Sequence, residues 1–334
     1  MDWKNEKVLV TGGGGFLGRK IIEDLAALNC ASIRSVGRKS QPALERIGVE
    51  ALCGDIRDSS FVSKACETRS LVIHTAALAG VWGDFEDFYR INVTGTQNII
   101  DSCIKRNVSA LVYTSSPSVA YSGNTENADE SVPYPGKYLA YYPETKAIAE
   151  RAVLKANSAN FATVAIRPHL IWGPGDPHLL PRVIERAGKG KLIQVGDGKN
   201  LVDMTYVDNA SSAHILAAET LRNSQKANGK AYFISDGKPV VLWSWINNLL
   251  KELGIPPVDR RISYRSAYAA GIFIEFLYKV LPFSGEPYMT RFIAGQLAFS
   301  HYFNISAARN DLGYNPKTNS DEALKKTVEW LKQK

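Results

Sequence analysis

Lys7-Val8-Leu9-Val10-Thr11-Gly12-Gly13-Gly14-Gly15-Phe16-Leu17-Gly18 leads from a short aliphatic run through four glycines into the amphipathic residues 19–28. Strand, glycine turn and helix in that order predict a βα unit whose helix N-terminus receives a phosphate. Gly12 suits the tight turn, Gly15 the close approach of backbone to a pyrophosphate, and Gly18 the packing of helix on strand. Phe16 and Leu17, at the start of the helix, complete the expected phosphate-side contacts. A glycine pattern is weak evidence by itself, and here the strand before it and the helix after it supply the required context.

Working outward, residues 32–36 form the second predicted strand, which ends in Gly37-Arg38-Lys39. An Asp or Glu at this place would receive the ribose 2′-hydroxyl of NAD; two cations and no acid predict a 2′-phosphate instead, hence NADP(H) in preference to NAD(H). Arg38 is the preferred contact because a guanidinium grips phosphate as a fork. Residues 49–53 read as a third strand with Gly54-Asp55-Ile56 at its carboxyl end, where Asp55 suits the adenine amino group and Ile56 the ring face. Leu71-Val72-Ile73-His74 is a buried parallel strand, and Thr75-Ala76-Ala77 after it are small enough for Ala76 and Ala77 to lie against a cofactor. His74 reads as a hydrogen-bonded structural histidine rather than a catalytic group.

Residues 85–106 have helical periodicity and carry Asn92, an amide expected to tie the neighbouring strand to the next helix. Strand 110–114 closes with Ser115-Ser116-Pro117-Ser118, which places hydroxyls where a substrate carbonyl would lie. The predicted helix 137–157 carries Tyr142 and Lys146, four apart and therefore on one face. A cation there favours the ionised phenol, whose ordinary pKa of about 10 has to fall before it exchanges protons usefully. Tyr141 has Thr145 at the same spacing. Pro143 is tolerable only near the first turn, which puts Tyr142 close to the positive end of the helix.

Residues 161–167 predict another buried strand, 178–190 a helix, 201–219 a strand, turn and helix, and 231–234 a last strand. Beyond Gly237 come apolar helices over 240–253, 267–281 and 288–303. Tyr264, Tyr268, Phe273, Phe276 and Phe283 are expected to face the cofactor and suit a long apolar substrate. The expected division is a dinucleotide-binding domain over residues 1–172, rejoined by 201–236, with 173–200 and 237–334 forming a substrate-binding portion.

Bulk properties agree. Hydrophobic residues at 45% and charged residues at 22% of 334 are ordinary for a globular protein. The net charge of +7 is dispersed, which suits a phosphate-bearing cofactor and gives no nucleic-acid patch. Cys30, Cys53, Cys66 and Cys103 lack metal-type spacing and read as structural thiols in the core, and no metal is expected. The N-terminus has no apolar signal segment, so a cytoplasmic location is expected. Glu275 and Lys279 interrupt residues 268–283, which argues against a membrane span and for a lid or a peripheral membrane contact.

Thr11-Gly12-x-x-Gly15-x-x-Gly18, Gly54-Asp55-Ile56, His74-Thr75-Ala76-Ala77, Asn92, Tyr113-Thr114-Ser115-Ser116, Tyr142-x-x-x-Lys146, Arg167-Pro168 and Leu312-Gly313-Tyr314-x-Pro316 together resemble the extended short-chain dehydrogenase/reductases over nearly the whole chain. Tyr-Thr-Ser-Ser and residues 166–176 are most similar to the 3β-hydroxysteroid dehydrogenase branch. Within it, residues 145–154, 171–182 and 230–235 look like the 2-alkyl-3-oxoalkanoate reductases, and next like the sterol-4α-carboxylate 3-dehydrogenases. Pro143 stands where those reductases carry Ala.

The resemblance implies a Rossmann-type doubly wound parallel sheet with a smaller, mostly helical C-terminal substrate-binding portion. It makes Ser116 the catalytic serine, with Ser115 its rival, beside Tyr142 and Lys146, and puts Pro168 and Leu170 at the nicotinamide. The implied activity is NADP(H)-dependent reduction of a ketone β to a carboxylate, or the reverse on a sterol-like 3β-alcohol, in a homodimer. The alternatives are a sugar-nucleotide epimerase or dehydratase with tightly bound NAD, and a non-catalytic NADP-binding regulator.

Overall fold

Alternate residues of the first strand feed two separate cores. Val8 and Val10 pack with Leu17, Ile21, Ile22 and Leu25, whereas Leu9 packs with Ile99, Ile100 and Cys103. This is the period of two expected of a strand buried on both faces. The computed structural model describes residues 1–121, 123–281, 283 and 285–333.

Seven strands form the central sheet: β1 (Lys7–Thr11), β2 (Ser32–Gly37), β3 (Glu50–Cys53), β4 (Leu71–His74), β5 (Ala110–Thr114), β6 (Ala162–Pro168) and β7 (Lys230–Ile234). All neighbours pair in parallel, in the order β3-β2-β1-β4-β5-β6-β7. The order reverses beside β1, so a ligand crevice opens at the carboxyl ends of β1 and β4. Helices α1 (Phe16–Ala27), α2 (Gly95–Lys105), α3 (Tyr141–Lys155) and α4 (Val207–Asn223) cover the sheet. α1 and α4 share one core, α2 and α3 the other. This is the Rossmann-type sheet expected. A third core around Trp172, Trp243, Trp245 and Leu249 holds much of the mostly helical C-terminal part, and a small cluster of Val195, Ala267 and Ala294 seats α5 (Tyr264–Val280).

Several boundaries differ from expectation. α3 begins at Tyr141, so Pro143 is its third residue, where a backbone N–H would have had no helical partner. The helix expected over 85–106 contains a π-helical turn at Tyr89–Thr94, which carries Asn92. The helix expected over 288–303 stops at Ala298. His301–Phe303 is a strand because His301 pairs with Val202 on one side and Thr125 on the other. Cys66 and Cys103 are buried, but Cys53 is exposed at the end of the edge strand β3, not in the core.

Among the described residues, no helix is long and apolar enough to cross a membrane. α5 turns Gly271 and Glu275 inward and leaves Ile272, Phe273, Phe276 and Val280 exposed. Phe273, Phe276 and Phe283 thus face outward rather than toward a cofactor; Pro282 lies outside the described residues.

Candidate active site

The glycine turn behaves as its spacing predicts. Gly12 has φ +74°, and a Cβ on Gly18 would come within 2.3 Å of the Gly12 carbonyl oxygen, so helix and strand meet without side chains between them. Gly15 caps α1 with no side-chain acceptor, which leaves the first-turn amides to an external one. A cavity of about 490 Å³ lies beyond, lined by Gly12, Gly15, Arg38, Lys39, Asp55, Ile56, Ala76 and Ala77. Among the described residues, Arg38 and Lys39 form no ion pair. Uncapped amides facing two unpaired cations fit the phosphates of a dinucleotide. Asp55 already has a partner: Arg57 grips it at 2.7–3.0 Å and lowers its pKa. Gln41 also lines this cavity and accepts from the Ser35 hydroxyl at 2.6 Å, a contact that the loop sequence did not reveal.

A second cavity, of about 460 Å³, shares Gly15, Thr75, Ala77 and His178 with the first, so the two form one groove. It gathers Phe16, Leu17, Ser115, Ser116, Tyr142, Lys146, Pro168 and Leu170. Gly18 lines neither part and serves in packing. Ser116 begins the turn after β5; its hydroxyl lies 2.8 Å from that of Ser118 and accepts from the Ser118 amide at 3.2 Å. Of the two serines, Ser116 is the one whose hydroxyl bears on Tyr142, while the buried Ser115 hydroxyl has no hydrogen-bond partner among the described residues. Leu170 has φ +39°, a strained value for a residue with a side chain, and holds the chain against the cavity.

Electrostatically the pair differs from expectation. Burial raises the Tyr142 pKa, and the Ser116 hydroxyl pulls it the other way. Lys146 is not among these influences, because its ammonium donates to the Thr114 carbonyl at 2.6 Å and sits over the Tyr113 ring. Burial brings Lys146 down to about 7, with Glu150 acting in opposition.

The neighbouring polar groups fix the frame. The Asn92 amide accepts from the Leu78 N–H at 2.7 Å and donates to the Leu78 carbonyl and to Thr145 of α3; it reaches that helix as predicted, but ties it to the loop after β4 rather than to the strand itself. His74 is bonded to Thr11 at 2.6 Å and Thr96 at 3.0 Å, and burial holds its pKa to about 3, which fits a structural role. The fully buried Glu150 takes both Nε and Nη2 of Arg167 at 2.9 and 2.6 Å, and the Tyr134 hydroxyl at 2.6 Å. This clamp joins α3, which carries Tyr142, to β6, which delivers Pro168.

The apolar wall differs from expectation as well. Tyr121, Phe292 and Phe303 supply it, with Gln296 and His169 between them. Tyr264 and Tyr268 line an adjoining cavity of about 520 Å³. Phe303 and its neighbours were missed because a three-residue strand was read as the end of a helix. His169 stood between two residues assigned to the cofactor, and its identity as a histidine was the only signal.

The sequence pattern of the 3-beta hydroxysteroid dehydrogenase/isomerase family matches residues 9–263. The 2-alkyl-3-oxoalkanoate reductase of Stenotrophomonas maltophilia is 44% identical over 96% of this chain and 98% of its own. That of Shewanella oneidensis is 45% identical over 97% and 86%. The decarboxylating sterol-4-alpha-carboxylate 3-dehydrogenase of Mus musculus is 35% identical over 98% and 91%. Among solved structures, MoeE5 in complex with UDP-glucose and NAD has a TM-score of 0.76 at 25% identity, covering 98% of this chain and 99% of that one. A UDP-galactose 4-epimerase, at 20% identity and a TM-score of 0.75 over 98% and 99%, shares the fold. With this sheet and these relatives, the chain belongs to the 3-beta hydroxysteroid dehydrogenase/isomerase family and is an NAD(P)-dependent oxidoreductase acting between CH–OH and C=O.

Proposed function

We propose that the protein reduces a ketone β to a carboxylate, of the 2-alkyl-3-oxoalkanoate type, to the hydroxy acid, using NADPH. The observation that carries this reading is the meeting of Ser116, Tyr142 and Lys146 in one cavity continuous with the glycine groove. The relatives named as 2-alkyl-3-oxoalkanoate reductases and sterol-4-alpha-carboxylate 3-dehydrogenases support the acid β to the reacting centre. NADPH supplies hydride to the ketone carbon. Tyr142 gives its proton to the ketone oxygen, and Ser116 donates a hydrogen bond to the same oxygen. Lys146 binds the nicotinamide ribose; on leaving the Thr114 carbonyl it also lowers the Tyr142 pKa. Arg38 binds the 2′-phosphate, Asp55 and Ile56 the adenine, and Pro168 and Leu170 flank the nicotinamide. In this reading residues 1–172 and 201–236 hold the cofactor, and 173–200 with 237–334 the substrate. The outward apolar face of α5, with Arg265 and Lys279 exposed beside it, supports peripheral contact with a lipid surface.

The test is nicotinamide absorbance with NADPH or NADH against 2-alkyl-3-oxo acids, sterol ketones and nucleotide sugars. Net NADPH oxidation with the oxo acids is expected; no net oxidation, with turnover of nucleotide sugars and co-purified NAD, would replace the proposal with an epimerase. Arg38→Ala should raise the KM for NADPH about tenfold or more and leave that for NADH nearly unchanged.

A further inference from the structure

His169 lines the cavity that holds Ser116 and Tyr142, yet the reaction as described gives it no role. It is 7% exposed, and its Nε2 lies 2.7 Å from Nδ1 of His301. The other nitrogen of His301, Nε2, lies 2.9 Å from the carbonyl oxygen of Gln296. A carbonyl oxygen can only accept, so His301 Nε2 carries a hydrogen. In the neutral pair His301 Nδ1 is then the acceptor and His169 Nε2 the donor. The second nitrogen of His169, Nδ1, is left with a bare lone pair and has no hydrogen-bond partner among the described residues.

We infer that His169 binds the acid group of the substrate, and that one proton enters the cavity with that group. The inference rests on the oxo-acid reading given above. A carboxylate and a bare Nδ1 both present lone pairs and repel; a single proton from solvent placed between them turns repulsion into a charge-assisted hydrogen bond. Whether that proton is drawn on the imidazole or on the acid, the stoichiometry is the same. Once protonated, His169 has both N–H groups satisfied, one by the substrate and one by His301. A ketone β to the acid then lies within one cavity of Ser116 and Tyr142.

The surrounding charged groups do not compete for this place. The Asp176 carboxylate accepts from the amides of His178, Leu179 and Leu180. Arg182 is paired with Glu286 at 2.7 Å, and Lys146 donates to Thr114. His178 is exposed at the junction of the two cavities. Around the histidine pair itself, Tyr121 stands edge-on to His301, Phe303 edge-on to His169, and Asp203 accepts from the Phe303 amide. The Thr205 hydroxyl bonds the His169 carbonyl oxygen.

The experiment is NADPH-dependent reduction of a 2-alkyl-3-oxo acid and of its methyl ester from pH 6 to 9, with wild type, His169→Gln and Arg182→Gln. Because Tyr142 and Lys146 act on both substrates, the ratio of the two kcat/KM values isolates the acid group. In wild type that ratio should fall about tenfold per pH unit, because burial keeps the free histidine neutral across this range and each binding event must draw its proton from solvent, with the change in KM. His169→Gln keeps a donor in place of Nε2 and has nothing in place of Nδ1. It should lower kcat/KM for the acid about ten- to a hundredfold, leave the ester within about threefold, and flatten the ratio. A pH-independent ratio in wild type, equal losses on acid and ester, or loss of discrimination in Arg182→Gln alone would each overturn the inference. If His169→Gln fails to fold, the wild-type slope still decides. Turnover of neither acid nor ester by wild type would instead sink the oxo-acid proposal, and this inference with it.

Discussion

α3 and α5 line two adjoining cavities, and they break the hydrophobic-inside pattern in opposite directions. α3 buries Thr145, Lys146 and Glu150, and each of these polar groups has a partner: Asn92 for Thr145, Thr114 for Lys146, Arg167 and Tyr134 for Glu150. α5 exposes Phe273 at 62% and Phe276 at 60%, while Glu275 on its inner face receives the Arg291 amide and guanidinium. Buried polar residues are tolerated only when satisfied, so those of α3 mark a built site. Exposed aromatic residues have no such requirement, and those of α5 mark a surface.

The largest expected effect is on the built side. Tyr142→Phe keeps the ring and its packing and removes only the proton that the phenol would transfer. Turnover should drop about a hundred- to ten-thousandfold, with NADPH affinity by fluorescence titration within about twofold. Wild-type turnover in this variant would separate the geometry of α3 from the chemistry assigned to it.

Next in size is the clamp behind the site. Glu150→Ala leaves the buried Arg167 guanidinium without its counter-charge, and breaking such a pair costs about 3–5 kcal/mol. Urea denaturation should show this as a lower midpoint. A loss below about 1 kcal/mol would mean that α3 and β6 are held together by apolar packing instead.

The legibility of the two regions follows the same division. β1 through β7 and the glycine turn could be read because backbone rules act locally: short continuous apolar runs mark strands buried on both faces, and Gly12 and Gly18 are needed for a φ and for a contact only a few residues away. Tyr142 and Lys146 were legible as a spacing, but not the direction of the Lys146 ammonium, which depends on Thr114 from another strand. The Glu150–Arg167 clamp joins residues seventeen apart in sequence across helix and strand, and no pattern along either element announces it. The aromatic wall was least legible. Helical spacing in α5 tells which residues share a face but not which face turns inward, and a glycine with a glutamate, Gly271 and Glu275, took the inner one.

The smallest effect, and the sharpest test of the contrast, is expected for Phe273→Ser and Phe276→Ser. Most of each ring already lies in solvent, so little apolar area is lost from the folded state, and the change in stability should stay within about 0.5 kcal/mol by urea denaturation. If the face meets a lipid surface, the same variants should sediment less with phosphatidylglycerol vesicles while the wild type pellets. A loss above about 1.5 kcal/mol that grows with protein concentration would show that a second copy of the chain covers the face in solution. Equal vesicle binding by wild type and variants would remove the lipid contact. Each outcome reads α5 by what meets its apolar side, as α3 is read by what satisfies its polar one.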